Sequence, residues 1–166
     1  MNEMDNTDNL MAVIKEPNWK SWIRDMYDNI EDGPNDINDA SFKAFLDTIW
    51  EMSLTAFDIP REVQVVIDAN ANLFISFGTP SFVSFMNQED ELHTSEPMTL
   101  PIDCWIHTHP FGMAYFSGTD WGTIKTWEHI MNHAIVLGDN QMMEWKKGMG
   151  DQSIFYQFGQ FVEEEE

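Results

Sequence analysis

At 166 residues the chain has the length of one domain with a single core, and 43% hydrophobic with 13% aromatic residues describes a folded globule, not a disordered segment. Eight basic residues against 29 acidic ones give a formal charge of −21, a field that repels phosphate backbones and anionic membrane surfaces and favours basic partners. Direct nucleic-acid and membrane binding are therefore not expected, and a single cysteine, Cys104, excludes an intramolecular disulfide and a cysteine-built zinc knuckle.

The start, Met1-Asn-Glu-Met-Asp-Asn, has neither the basic residues nor the apolar stretch of a signal peptide. No run approaches the roughly 18 apolar residues of a spanning helix. The expectation is a soluble, cytoplasmic protein, with a virion component as the alternative. Residues 1–10 read as a polar, frayed start. Trp19, Trp22, Ile23, Met26 and Ile30 recur at helical spacing, which predicts an amphipathic helix over 17–30 packed on the domain. Glu31-Asp-Gly-Pro-Asn-Asp36 is turn-rich and divides a 1–33 extension from a 34–166 unit.

Within that unit Phe42, Phe45, Leu46, Ile49 and Trp50 predict a helix at about 40–56. Strands are predicted at 62–68 and 73–78, joined by a turn at Ala69–Asn72, with a third near Phe82–Met86. Residues 87–101 form an acidic, Pro-containing loop, which reads as solvated or as a flap. The apolar run Ile102–Ile106 is a buried strand that Pro110 terminates, since proline cannot donate to a ladder. Phe111–Phe116 is a loop. A helix then starts at Ser117, with Trp121, Ile124, Trp127 and Met131 at helical spacing. His133–Leu137, the turn Gly138–Asn140 and Met142–Lys146 read as a hairpin, and Ile154–Phe158 as a last strand before a solvated Glu163–Glu166 tail. The sum is an α/β fold, a mixed sheet flanked by helices.

The chemistry lies between these last elements. His107 and His109, two apart on a strand, point to one face. Asp120, thirteen positions beyond His107, can complete a three-ligand site with the fourth position open to water, which is the arrangement of a catalytic zinc centre. Ser117-Gly-Thr-Asp120 is also the Ser-x-x-Asp pattern of a capping box. Alone it favours a cap; beside the two histidines it favours a ligand. The roles are compatible, because a helix N-terminus favours an ionised carboxylate. His93, His129 and His133 read as structural or exposed, since a fourth protein ligand would close the site. Cys104, in an apolar strand, reads as a buried small hydrophobe rather than a nucleophile.

Cys104-Trp-Ile-His-Thr-His-Pro110 followed by Ser117-Gly-Thr-Asp120 resembles the zinc signature of the JAMM metalloproteases (MPN-plus domains). That family comprises ubiquitin isopeptidases, small archaeal and bacterial proteases acting on ubiquitin-like proteins, and related phage-tail domains. The resemblance covers roughly residues 40–160. It implies a cytidine-deaminase-like sandwich and one zinc ion held by His107, His109 and Asp120. It also implies a glutamate general base upstream and a Ser117 hydroxyl that donates to the oxyanion. Glu62, after a helix and before a β-branched run, matches the position of that base. Glu51 is the runner-up, followed by Glu89, Glu91 and Glu96. Where family members usually carry a Gly soon after the Glu, this chain reads Val66-Ile67-Asp68-Ala69. Residues 87–101 occupy the place of a substrate-contacting insertion, whereas only one helix fits between Asp120 and His133. The implied function is a small zinc-dependent peptidase or isopeptidase acting on the flexible tail of a protein, a ubiquitin-like one among the candidates. The alternative is a non-catalytic, zinc-retaining scaffold or virion assembly module.

Overall fold

Six short strands hydrogen-bond into one mixed sheet in the computed structural model, which describes residues 13–31, 36–78 and 97–158. They are β1 (Val63–Ile67), β2 (Leu73–Phe77), β3 (Cys104–Thr108), β4 (His133–Gly138), β5 (Gln141–Lys146) and β6 (Ile154–Gln157), in the spatial order β2-β1-β3-β4-β5-β6. Neighbours are antiparallel except β3 and β4, which run parallel. A parallel pair cannot be closed by a hairpin. The chain between β3 and β4 is therefore a crossover, and it carries every residue of the candidate site downstream of β3.

The three central strands are buried along their whole length, so both sheet faces are covered. Alternation sorts their side chains. Val63, Val65, Ile67, Cys104, Ile106, Ile135 and Leu137 join one apolar cluster with helices α1 (Trp19–Asp28) and α2 (Ala40–Thr55). Val66, Trp105, Ala134 and Val136 join a second cluster with Ile124 of α3 (Gly118–Trp127) on the opposite face. The result is helices, sheet and helix in three layers.

The sequence explains the helices locally. Asp39 caps α2 by accepting the Ser41 N–H at 2.8 Å. Phe42, Phe45, Leu46 and Ile49 are buried at helical spacing. The expected amphipathic helix exists as α1, and Trp19 and Ile23 are buried in the same core as α2. Trp22, on its other side, is 40% exposed.

Two boundaries differ from expectation for one reason. Helical spacing extends to Met131, yet α3 ends at Trp127 in a 3-10 turn, Glu128–Ile130, and Met131 is extended at φ −129, ψ 129. Ile102, expected in the buried strand, lies ahead of β3 and bridges Met131 in parallel. The Ile102 N–H donates to the Ile130 carbonyl at 2.7 Å, and the Asn132 N–H donates to the Ile102 carbonyl at 2.8 Å. Tertiary backbone pairing overrides the local helical pattern.

The expected strand near Phe82–Met86, most of the acidic loop with Glu89, Glu91, His93 and Glu96, much of the linker and both polar chain ends lie outside the described residues. Among the described residues, no helix is long and apolar enough to cross a membrane.

Candidate metal centre

Trp105 and His107 project from the same side of β3 as the second apolar cluster. His109 lies one residue past the strand, but its N–H donates to the Leu137 carbonyl at 2.8 Å, so the backbone continues along β4. The two imidazoles consequently stand side by side, ring centroids 5.2 Å apart. The crossover then returns the chain to them. Ser117 is the N-cap of α3, accepting the Asp120 N–H through Oγ at 3.1 Å, and its own N–H donates to Asp120 Oδ2 at 2.9 Å. The capping box and the ligand set are the same structure: capping aims the carboxylate at the histidines.

Asp120 Oδ2 accepts from His107 Nε2–H at 3.1 Å and lies 3.6 Å from His109 Nε2. One donor atom from each of the three residues falls within 4.8 Å of the others. His109 Nδ1–H donates to the Met113 carbonyl at 3.1 Å, which leaves Nε2 as its ligating atom. Two imidazole nitrogens and a carboxylate oxygen suit zinc or another first-row divalent ion. The cluster can hold a metal ion.

Electrostatics agree. Burial works against ionisation of Asp120, but the charge of His107 and hydrogen bonds from both imidazoles and the Ser117 N–H outweigh it, holding the carboxyl well below the usual carboxylate range. For His109 burial favours the neutral ring, and the Asp120 and Met113 hydrogen bonds overcome it, so its pKa lies above the ordinary value.

Glu62 reaches the same place from β1. The antiparallel register pairs Gln64 with His107, and continuing that direction past the end of the ladder carries Glu62 to within electrostatic reach of His109 and Asp120. Its side chain is buried, and burial pushes its carboxyl up to about 8, moderated by attraction to His109 and reinforced by repulsion from Asp120. A carboxyl so placed holds its proton up to about pH 8 in the metal-free chain and can serve as a base once ionised. Glu51 is exposed on α2, whose buried side lies against the other face of the sheet.

Sequence reading missed the support beneath His107. Its ring stacks on Trp105 at 4.7 Å and 18°, and the Trp105 indole N–H donates to Gln64 Oε1 at 2.9 Å. His107 Nδ1 is buried with no partner among the described residues, an arrangement that ordinarily costs about 1–3 kcal/mol. The only sequence signal was Gln64 itself, one polar residue within the run Val63–Ile67.

The two other described histidines, His129 and His133, lie outside the cluster. His133 is buried and donates from Nε2 to Glu144 Oε2 at 2.6 Å, while the His129 carbonyl accepts from Lys147. Cys104 is fully buried, and burial pushes its thiol well above 9. No family model matches this chain, no curated protein matches it, and no solved structure matches it.

Proposed function

We propose that the chain is a zinc-dependent peptidase or isopeptidase of the JAMM type, built on that family's cytidine-deaminase-like sandwich. The carrying observation is the convergence of His107, His109 and Asp120 within 4.8 Å, with the buried Glu62 in electrostatic reach of His109 and Asp120 and outside that ligand set. His107, His109 and Asp120 would hold the ion. Bound there, zinc would polarise the scissile carbonyl and lower the pKa of water.

The protein's own groups complete the hydrolysis. Glu62 accepts a proton from the attacking water as the new carbon–oxygen bond forms. It then delivers that proton to the amine as the carbon–nitrogen bond breaks. The Ser117 Oγ accepts from the Asp120 N–H, so its own O–H remains to donate to the developing oxyanion.

The substrate reading follows from the surface beside His109. Phe111, Met113 and Tyr115 are 65%, 61% and 52% exposed, and the Tyr115 ring lies 5.1 Å from His109. An apolar wall at the site of a strongly acidic protein fits an extended protein tail carrying apolar and basic side chains, ubiquitin-like proteins among them.

Metal analysis of the purified chain, followed by cleavage assays on tail-fused substrates with and without a chelator, tests the proposal. One zinc per chain and chelator-sensitive cleavage are expected. Zinc without cleavage of any tail would favour the non-catalytic scaffold or virion module.

A further inference from the structure

We infer that Trp105 and Gln64 are positioning residues for His107, holding that metal ligand by ring stacking where a hydrogen bond ordinarily does the work. The inference rests on the metal-centre reading above and deepens it.

A histidine that ligates through one ring nitrogen usually donates the other N–H to a carboxylate, carbonyl or water, which fixes its tautomer and ring plane. His109 follows that pattern through the Met113 carbonyl. His107 does not: Nε2 faces Asp120, and Nδ1 is buried without a partner among the described residues. Something else must set its plane. The indole of Trp105 lies almost parallel to the imidazole, 18° between planes and 4.7 Å between centroids. Offset or parallel aromatic contact restricts rotation about the ring axis in the way a hydrogen bond otherwise would.

The indole is itself anchored. Its N–H donates to Gln64 Oε1 at 2.9 Å, both side chains are buried, and Gln64 is the direct cross-strand neighbour of His107. The three residues are linked to one another across two adjacent strands. When His107 ligates through Nε2, the proton of the neutral ring sits on Nδ1 with no acceptor to raise the basicity of the ligating nitrogen. His107 would then be the weaker electron donor of the two histidines towards an ion held there.

The test measures zinc affinity of the full chain by chelator competition, the Co²⁺ d–d absorption spectrum, and thermal melting as the check on folding. Trp105→Leu is expected to lose about 10–100-fold in zinc affinity and to alter the Co²⁺ spectrum. Trp105→Phe keeps a flat face and is expected to recover most of both. Gln64→Leu fills the same space without an acceptor and should change the Co²⁺ spectrum in the same direction as Trp105→Leu. A folded Trp105→Leu chain with wild-type affinity and spectrum overturns the inference, as does a Trp105→Phe chain as impaired as Trp105→Leu. If Trp105→Leu does not fold, an unaltered spectrum in Gln64→Leu overturns it instead. A wild-type chain that takes up neither ion removes the metal-centre reading and this inference together, an outcome distinct from variants that bind as well as the wild type.

Discussion

Ser117 and Asp120 cap one another through different atoms: the bond to the carboxylate comes from the Ser117 backbone N–H, whereas the Ser117 hydroxyl holds the Asp120 N–H. The two functions of Ser117 are therefore separable by mutation. Ser117→Ala keeps the donor that orients Asp120, so zinc affinity should stay within about threefold of wild type, well short of the loss that outer-shell partners typically cause. Losing the N-cap costs about 1 kcal/mol, or about 2–4 °C in Tm for a chain of this size. Turnover should fall by about 10²–10³, as for removal of an oxyanion donor. Parallel loss of metal and turnover in the Ser117→Ala chain would instead place the hydroxyl among the groups that hold the ion.

Gly138 closes β4 where the loop after His109 rests on it. A Cβ there would meet Ala114 N at 2.5 Å, the Gly112 carbonyl oxygen at 2.8 Å and Met113 C at 2.8 Å, all backbone atoms that cannot rotate away. Gly138→Ala should destabilise the chain by about 1–3 kcal/mol, as overpacking does. It should also weaken metal binding, because the displaced loop carries the Met113 carbonyl that holds His109. Gly122→Ala, with nothing within 4 Å and a helical position in α3, is the control and should gain stability. Denaturant midpoints and zinc affinities of the two variants decide the matter; equal affinities would detach the loop from the ligand.

What the sequence disclosed depends on how local the relationship is. His107, His109, Ser117 and Asp120 were legible because strand alternation, a proline stop and a capping box are short-range rules, and all four meet in space. Glu62 was marked by family resemblance alone. What brings it to His109 is the β1–β3 register, a pairing between strands that are not consecutive in the chain. The Trp105–Gln64 contact has the same origin, and no periodicity within one strand reveals which residue faces it across the ladder. The overextended helix at Met131 fails for the converse reason: its local pattern was clear, and the bridge to Ile102 overrode it.

Glu144 provides an acid-sensitive contribution to stability remote from the metal ligands in sequence. It pairs across from Ile135, whose side chain joins the cluster under α1 and α2, and it accepts from His133 at 2.6 Å and from the Tyr156 hydroxyl at 2.9 Å. Burial opposes its charge, and those hydrogen bonds outweigh burial, so its carboxyl lies below the ordinary 4.5. A depressed folded-state pKa means stability that is fully present above 4.5 and is lost as pH falls through the depressed value. Breaking the buried pair with Glu144→Gln should cost about 3–5 kcal/mol near neutral pH, and the difference from wild type should shrink on acidification. Urea midpoints across that range provide the measurement, and a pH-independent difference would rule out the carboxylate as its source.

Glu62 makes the opposite prediction, and for a functional reason. Its carboxyl rises from an ordinary 4.5 to about 8 in the folded, metal-free chain, chiefly because it is buried. A raised folded-state pKa means that the folded chain retains a proton the unfolded chain releases, so stability falls as pH climbs from 4.5 towards 8. Glu62→Gln removes that titration. The metal-free variant should match wild type in acid, then exceed its Tm increasingly up to about pH 8, where Glu62 has ionised, and hold that margin above it. Metal binding should narrow the margin, because a nearby divalent cation favours the ionised carboxylate. The variant should still bind zinc, since Glu62 is not one of the three clustered donors, while hydrolysis is abolished with the base. Melting curves against pH, with and without zinc, read out the stability terms, and turnover of a cleavable tail fusion reads out the chemistry. Near-wild-type turnover in Glu62→Gln would remove Glu62 from the mechanism, whereas absence of the alkaline stability gain would show that its carboxyl is not held protonated by burial.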